Sequence, residues 1–125
     1  RRKDTGWEDG KYGLAGGHLE GKETFTSAMI RETEEELGIA LAREELKVVH
    51  MMHRMSTNEL EYVDVYFFAD SWNGEPENSE PEKCDELKWF PLAELPRNML
   101  AYDRKALEYF GKGLTFSEVG WNKTG

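Results

Sequence analysis

The stretch that decides the fold is Gly17–Ile39, which reads Gly-His-Leu-Glu-Gly-Lys-Glu, then seven residues, then Arg-Glu-Thr-Glu-Glu-Glu-Leu-Gly-Ile. Its second part predicts a helix over residues 24–37, because Ile30 and Leu37 lie seven residues apart on one face. Gly38 is a suitable residue to end that helix. The stretch therefore predicts a glycine-rich loop that leads directly into an amphipathic helix.

The predicted helix carries a cluster of carboxylates beside its apolar face. Glu32, Glu35 and Glu36 fall within an arc of roughly 100° around the helix axis. Like charges three or four positions apart destabilise a helix by about 0.2–0.5 kcal/mol per pair, so some compensating group is expected. Carboxylate oxygens grouped in this way suit Mg²⁺ or Mn²⁺. The alternative is a solvated acidic face without a ligand, which composition alone favours.

The rest of the chain predicts a hairpin, further short elements and a second helix. Strands are predicted at 46–55 and, by clearer alternation, at 61–69, with a polar turn at 56–59 that makes them an antiparallel pair. The other predicted elements are a short strand near 12–14, a charged connection at 44–45, an acidic loop at 73–86, a short strand at 87–90, a single turn between Pro91 and Pro96, and a helix at 99–110. These elements predict one α/β or α+β domain over residues 1–125, with a mixed sheet and two helices.

Composition restricts the classes of function. The 125 residues are 38% hydrophobic and 33% charged, which is typical of a soluble globular domain. A net charge of −9 argues against nucleic acid or an anionic membrane as the main partner, although a divalent cation could bridge an acidic site to a phosphate. Cys84 is the single cysteine, which excludes an internal disulfide. With no signal peptide or membrane-spanning run, we expect a cytoplasmic protein.

The loop and helix together resemble the Nudix box, G-x5-E-x7-R-E-U-x-E-E-x-G-U, in which U is an aliphatic residue. The positions in register are Gly17, Glu23, Arg31, Glu32, Glu35, Glu36, Gly38 and Ile39. Chance agreement of all the fixed residues is about 10⁻⁷ per starting point at roughly 10% usage each. Thr33 departs from the pattern at an aliphatic slot, which is a packing position. The resemblance continues through residues 12–20 and the segments beginning at Trp72 and Trp89.

The resemblance implies an α/β/α sandwich around a mixed sheet and a small, single-domain, MutT-like enzyme that needs Mg²⁺ or Mn²⁺. The implied metal ligands are Glu32, Glu35, Glu36 and the backbone carbonyl of Gly16. Arg31 and Glu23 would hold the loop against the helix, with Gly17 and Gly38 as structural glycines. Relatives usually begin with one or two strands before the segment that matches Arg1, so we expect this chain to be incomplete at its N-terminus.

Relatives often draw one more carboxylate from a later loop, either as a further metal ligand or as the base that activates water. Glu80 is the candidate here, and Glu82, Asp85 and Glu86 are alternatives.

Two more residues are candidates for substrate contacts. His18 adjoins the box and could touch phosphate, with a solvated loop histidine as the alternative. Asn98 stands where MutT-like relatives place an amide that reads the base, with a helix N-cap as the alternative. His50 and His53 are not expected to share a metal, because a spacing of three places them on opposite faces of a strand.

The implied activity is hydrolysis of a phosphoanhydride bond in a nucleoside diphosphate linked to another group. The short chain and the absence of other subfamily signals favour a (d)NTP, oxidised purine nucleotides included, cleaved to the monophosphate and pyrophosphate. ADP-ribose, dinucleoside polyphosphates and nucleotide sugars are the alternative substrates. A non-catalytic nucleotide-binding module and a plain acidic interaction domain are the alternative functions. The expected partner is a small nucleotide, and a homodimer is left open.

Overall fold

Two α-helices and three strands form the regular structure of residues 1–121, the part of the chain that the computed structural model describes. They are α1 (Phe25–Leu37), β1 (Leu46–Met55), β2 (Glu61–Ala69), α2 (Ala101–Gly111) and β3 (Phe116–Val119). β1 is the central strand, with β2 antiparallel on one side and β3 parallel on the other. The predicted fold class, a mixed sheet with two helices, is confirmed. Neither helix is long and apolar enough to cross a membrane.

Helix α1 has the ends that the sequence predicts. The side chain of Thr24 accepts a hydrogen bond from the Ser27 N–H at 3.1 Å, which satisfies one of the free donors of the first turn. Gly38 ends the helix with a φ of 70°, and its N–H donates to the Glu34 carbonyl at 3.0 Å. Thr33 is buried and donates its hydroxyl to the Met29 carbonyl at 2.7 Å. The polar residue in the aliphatic slot is thus a packed, hydrogen-bonded side chain.

The hairpin of β1 and β2 also has its predicted bounds, with one unpredicted irregularity between Val48 and His50. One face of β1 packs on α2. The His50 ring stacks on Tyr109 with 5.4 Å between ring centres, and the Arg54 guanidinium lies 3.9 Å from the centre of the Tyr102 ring. α2 therefore covers this face of the sheet.

Two short strands predicted from the sequence are wrong. Residues 12–14 do not form a strand, and Tyr12 makes only an isolated bridge to Met99. Residues 87–90 have no regular secondary structure, and Phe90 packs edge-on against Tyr12 with 5.0 Å between ring centres. Neither segment forms a continuous ladder, because Tyr12 bridges Met99 at a single point and the contact of Phe90 is between rings.

β3 was not predicted at all. It has four residues, too few to show alternation, and its partner is β1, more than fifty positions earlier in the chain. The side chain of His50 connects β1 to β3. It is 1% exposed, its Nδ1 donates to the Leu114 carbonyl at 2.9 Å, and its Nε2 accepts from the Ser117 hydroxyl at 2.7 Å. His53 instead contacts Glu61 at 2.7 Å, so the two histidines have separate partners, as expected.

Replacing Ser117 with Ala leaves the buried Nε2 of His50 without a donor. We expect the free energy of unfolding to fall by about 1–3 kcal/mol, measured by urea denaturation. The matched control is Thr115→Ala, because Thr115 lies two residues earlier and is exposed. Equal losses in the two variants would mean that the His50–Ser117 hydrogen bond does not hold β3 in the sheet.

Candidate active site

The glycine-rich loop passes directly against the acidic face of α1. The Gly16 N–H donates to Oε1 of Glu36 at 3.2 Å. A Cβ atom on Gly17 would lie 2.6 Å from the carboxylate carbon of Glu32, closer than such contacts allow. Because any larger residue would displace the Glu32 carboxylate, glycine is the residue that fits at position 17.

Arg31 lies at the centre of the acidic cluster. Its Nε and Nη2 donate to the two carboxylate oxygens of Glu23 at 3.2 and 2.8 Å, and its Nη1 donates to Glu32 at 2.9 Å. The same guanidinium reaches Glu35 at 3.4 Å and the carbonyl of His18 at 3.4 Å. Hydrogen bonds to Glu23 and Glu32 raise the pKa of Arg31, and the bond from Arg31 lowers the pKa of Glu23. Arg31 therefore connects the loop and the helix through several charged hydrogen bonds.

Glu36 is a half-buried carboxylate of the acidic face. Burial, a hydrogen bond with Glu32 and the negative charges of Glu32 and Glu80 together raise the pKa of Glu36 to about 8. The hydrogen bond from the Gly16 N–H acts in the opposite direction. Carboxylates this close together require a shared proton or a bound cation to offset their repulsion.

Glu80 comes close to Glu36 because the acidic loop packs on the C-terminal end of α1. The Glu77 N–H donates to the Leu37 carbonyl at 2.9 Å, and the Ser79 N–H donates to the Glu36 carbonyl at 3.1 Å. These carbonyls belong to the last turn of α1, where a helix leaves its acceptors free. The loop thereby satisfies the helix end and carries Glu80 to the acidic face.

The three alternatives to Glu80 are placed differently. Asp85 accepts a hydrogen bond from Arg1 at 2.8 Å, and Glu86 accepts one from the Tyr12 hydroxyl. Glu82 is exposed and forms no ion pair within residues 1–121. Of the four candidate acids, Glu80 is the one that acts on the pKa of Glu36.

The carboxylates suit a divalent cation by chemistry but do not converge on a common point. Among residues 1–121, no three His, Cys, Asp or Glu side chains are arranged as a metal site. Arg31 draws Glu32 and Glu35 toward itself, and the Glu35 side chain is 51% exposed. The donors are nevertheless the carboxylate oxygens that Mg²⁺ and Mn²⁺ prefer, and rotation of flexible glutamate side chains can change their direction. The residues present therefore fit such an ion.

The two predicted substrate contacts lie in different surroundings. His18 stacks on Tyr62 of β2, with 6.2 Å between ring centres and 19° between the planes. The Asn98 side chain donates to the Gly10 carbonyl at 2.9 Å. Asn98 is not the N-cap of α2, because that position is Leu100. The amide of Asn98 thus holds the N-terminal segment against the start of α2.

The NUDIX domain family matches residues 1–110, which is most of the chain. The chain belongs to the Nudix family. Among solved structures it is similar to the crystal structure of a MutT NUDIX hydrolase from Burkholderia pseudomallei, with 36% sequence identity and a TM-score of 0.77. The match covers 86% of this chain and 82% of that chain. The protein is therefore a Nudix hydrolase, a class of enzyme that cleaves nucleoside diphosphates linked to another moiety and in general uses divalent metals.

Two contacts of this Nudix hydrolase had no counterpart in the sequence prediction. Tyr62 beside His18 was missed, because nothing in the spacing connects residue 18 to residue 62. The packing of residues 77–80 on α1 was missed because loop register is not encoded in a periodic pattern. The motif itself, by contrast, was visible from spacing alone.

Replacing Arg31 with Lys should destabilise the loop and helix together. A lysine ammonium cannot bridge both oxygens of Glu23 while also reaching Glu32. We expect a lower Tm in metal-free buffer than for the unmodified protein. Arg43→Lys is the control, since within residues 1–121 the Arg43 side chain makes one hydrogen bond, to the Ser27 hydroxyl. Unchanged Tm values for both variants would show that the Arg31 contacts contribute little to stability.

Proposed function

We propose that this Nudix hydrolase cleaves (d)NTPs, oxidised purine nucleotides included, to the nucleoside monophosphate and pyrophosphate with Mg²⁺ or Mn²⁺. The observation that carries the proposal is the set of acids around Glu36. Three elements meet there: α1, the glycine-rich loop and the loop of Glu80. The likeness to a MutT NUDIX hydrolase supports the nucleotide substrate.

The chain's own groups define the roles in this proposal. Glu32, Glu35, Glu36 and the carbonyl of Gly16 would hold the metal, and Glu80 would be the base that activates water. A bound divalent cation supplies charge neutralisation for the phosphates and lowers the pKa of a water molecule.

Arg31 and Glu80 would have separate roles, the first in positioning carboxylates and the second in accepting a proton. Arg31 keeps Glu23 and Glu32 in place and also reaches Glu35 at 3.4 Å, on the same helix face as Glu36. Glu80 would accept the proton of the attacking water. The water oxygen then bonds to phosphorus as the phosphoanhydride P–O bond breaks, and pyrophosphate leaves with the bonding electrons.

The test is a substrate panel of nucleoside triphosphates, oxidised dGTP, ADP-ribose, diadenosine polyphosphates and nucleotide sugars, each with Mg²⁺ or Mn²⁺. We expect pyrophosphate release from a triphosphate and no release with chelator present. Glu35→Gln should lower kcat/KM by about 10²–10³-fold, because several kcal/mol of charge stabilisation are lost. Glu34→Gln is the matched control, as Glu34 is the exposed neighbour at the unspecified position of the motif.

Each unexpected outcome of this panel would contradict a different part of the proposed function. Turnover confined to ADP-ribose, a dinucleoside polyphosphate or a nucleotide sugar would replace the triphosphate with that substrate class. Equal activity of Glu35→Gln and Glu34→Gln would remove Glu35 from the metal site. Failure to turn over any compound, from folded protein with metal present, would contradict the proposed reaction.

A further inference from the structure

Asp103 is a buried carboxylate in the first turn of α2, and the proposed reaction assigns it no part. It is 6% exposed, and each of its two oxygens accepts a hydrogen bond. The Leu14 N–H donates to Oδ2 at 2.9 Å, and the Tyr66 hydroxyl of β2 donates to Oδ1 at 3.0 Å. Asp103 therefore connects α2 and β2 to the segment that leads into the glycine-rich loop.

The surroundings of Asp103 make its negative charge costly. The carboxylate forms no ion pair with any residue in the described range 1–121. Burial raises the pKa of Asp103, and the hydrogen bonds from Leu14 and Tyr66 offset part of this effect. A buried carboxylate without a cationic partner is commonly no more stable than an apolar side chain of similar size. Stability alone therefore does not explain an aspartate at this position.

The segment that carries Leu14 is held on both sides of this residue. Before it, the Leu100 N–H donates to the Tyr12 carbonyl at 2.8 Å. After it, the Gly16 N–H donates to Glu36 of α1 at 3.2 Å. The hydrogen bond at Leu14 therefore lies between a contact with the start of α2 and a contact with the acidic face of α1.

The carbonyl of Gly16 differs from the other proposed metal ligands, because a backbone group cannot turn independently of the chain. Glu32, Glu35 and Glu36 have flexible side chains that can rotate toward a cation. The direction of a backbone carbonyl is fixed by the planar peptide unit and by the dihedral angles on either side of it. The contacts that hold residues 14–16 therefore set the direction of this carbonyl.

We propose that Asp103 is a positioning residue, which holds Leu14 so that the Gly16 carbonyl keeps the orientation needed for metal binding. The inference rests on the proposed function, because it assumes that the Gly16 carbonyl is a metal ligand. Asp103 itself contacts neither the metal nor the substrate in this arrangement. The Tyr66 hydroxyl bonds to the other oxygen of Asp103 and is not required for this role.

Three variants separate the contact with Leu14 from the rest of the buried network. Asp103→Asn keeps the size of the side chain, because its amide oxygen can accept from Leu14 while its NH₂ group donates to the Tyr66 oxygen. Asp103→Leu removes both hydrogen bonds and places an apolar side chain in the buried position. Tyr66→Phe is the matched control, since it removes one hydrogen bond from Asp103 and leaves the bond to Leu14 in place.

The first measurement is Mn²⁺ binding without substrate, followed by the electron paramagnetic resonance signal of free Mn²⁺. We expect Asp103→Leu to bind Mn²⁺ about 10- to 100-fold more weakly than the unmodified protein, the usual effect of losing a group that orients a metal ligand. Asp103→Asn and Tyr66→Phe should bind Mn²⁺ like the unmodified protein, because both keep an acceptor for Leu14. Thermal unfolding shows which variants are folded, and Asp103→Ala takes the place of Asp103→Leu if the leucine variant is not.

The second measurement follows the Gly16 carbonyl itself by ¹³C NMR during a titration with Mg²⁺. In the unmodified protein we expect the signal of this carbonyl to shift as Mg²⁺ is added. In Asp103→Leu the shift should be smaller at equal Mg²⁺, and the Leu14 amide proton should exchange faster with solvent. Asp103→Asn should restore both readings, which a general loss of stability would not predict.

Two results would overturn the role of Asp103 while leaving the proposed reaction intact. One is Mn²⁺ binding by folded Asp103→Leu that equals binding by the unmodified protein. The other is an equal loss of Mn²⁺ binding in Asp103→Leu and Tyr66→Phe, which would assign the loss to the buried network rather than to Leu14. A Gly16 carbonyl signal that does not respond to Mg²⁺ in the unmodified protein would instead contradict the proposed metal ligand, and the role of Asp103 with it.

Discussion

The arrangement of the site depends on the hydrogen bonds of a single guanidinium, that of Arg31. The sequence places several carboxylates on one side of α1 and in the loop before it, and their mutual repulsion alone would drive the loop away. Arg31 offsets that repulsion with contacts to Glu23, Glu32 and Glu35 and also holds the His18 carbonyl. Because the donors of the guanidinium are fixed in one plane, Arg31 sets the position of the loop and also offsets its negative charge.

Arg31 holds the glycine-rich loop close to α1. This close approach explains why glycine stands at position 17 and why the pKa of Glu36 is raised. With the loop held against the helix, a side chain at position 17 would displace the Glu32 carboxylate, and the Gly16 N–H donates to Glu36. The same approach removes water from Glu36 and raises its pKa to about 8, while packing of the acidic loop on the helix end brings Glu80 nearby. The folded chain therefore concentrates negative charge where only a cation or a proton can offset it.

The features that the sequence could predict are those set by residues close together in the chain. The ends of α1 follow from a capping threonine and a glycine, and the hairpin follows from alternation over two adjacent segments. β3 escaped prediction because it is short and its partner is remote, and the segment at 87–90 was wrongly assigned because apolar residues there pack on another loop. The motif predicted which acids lie together, yet the place of Glu80 depends on backbone contacts between loop and helix end, which leave no spacing in the sequence.

The distribution of charge differs between the acidic face of α1 and the cavity beside Trp7, which lies between the N-terminal segment, the hairpin end of β1 and the first turn of α2. An acidic protein repels a polyphosphate, so the phosphates can approach the carboxylates only together with cations. The cavity beside Trp7 has the opposite character, with lysines and a guanidinium held between two tyrosines. Tyr62 of β2 contacts both His18 and Arg54, so the hairpin fixes the separation between the acidic face and this cavity.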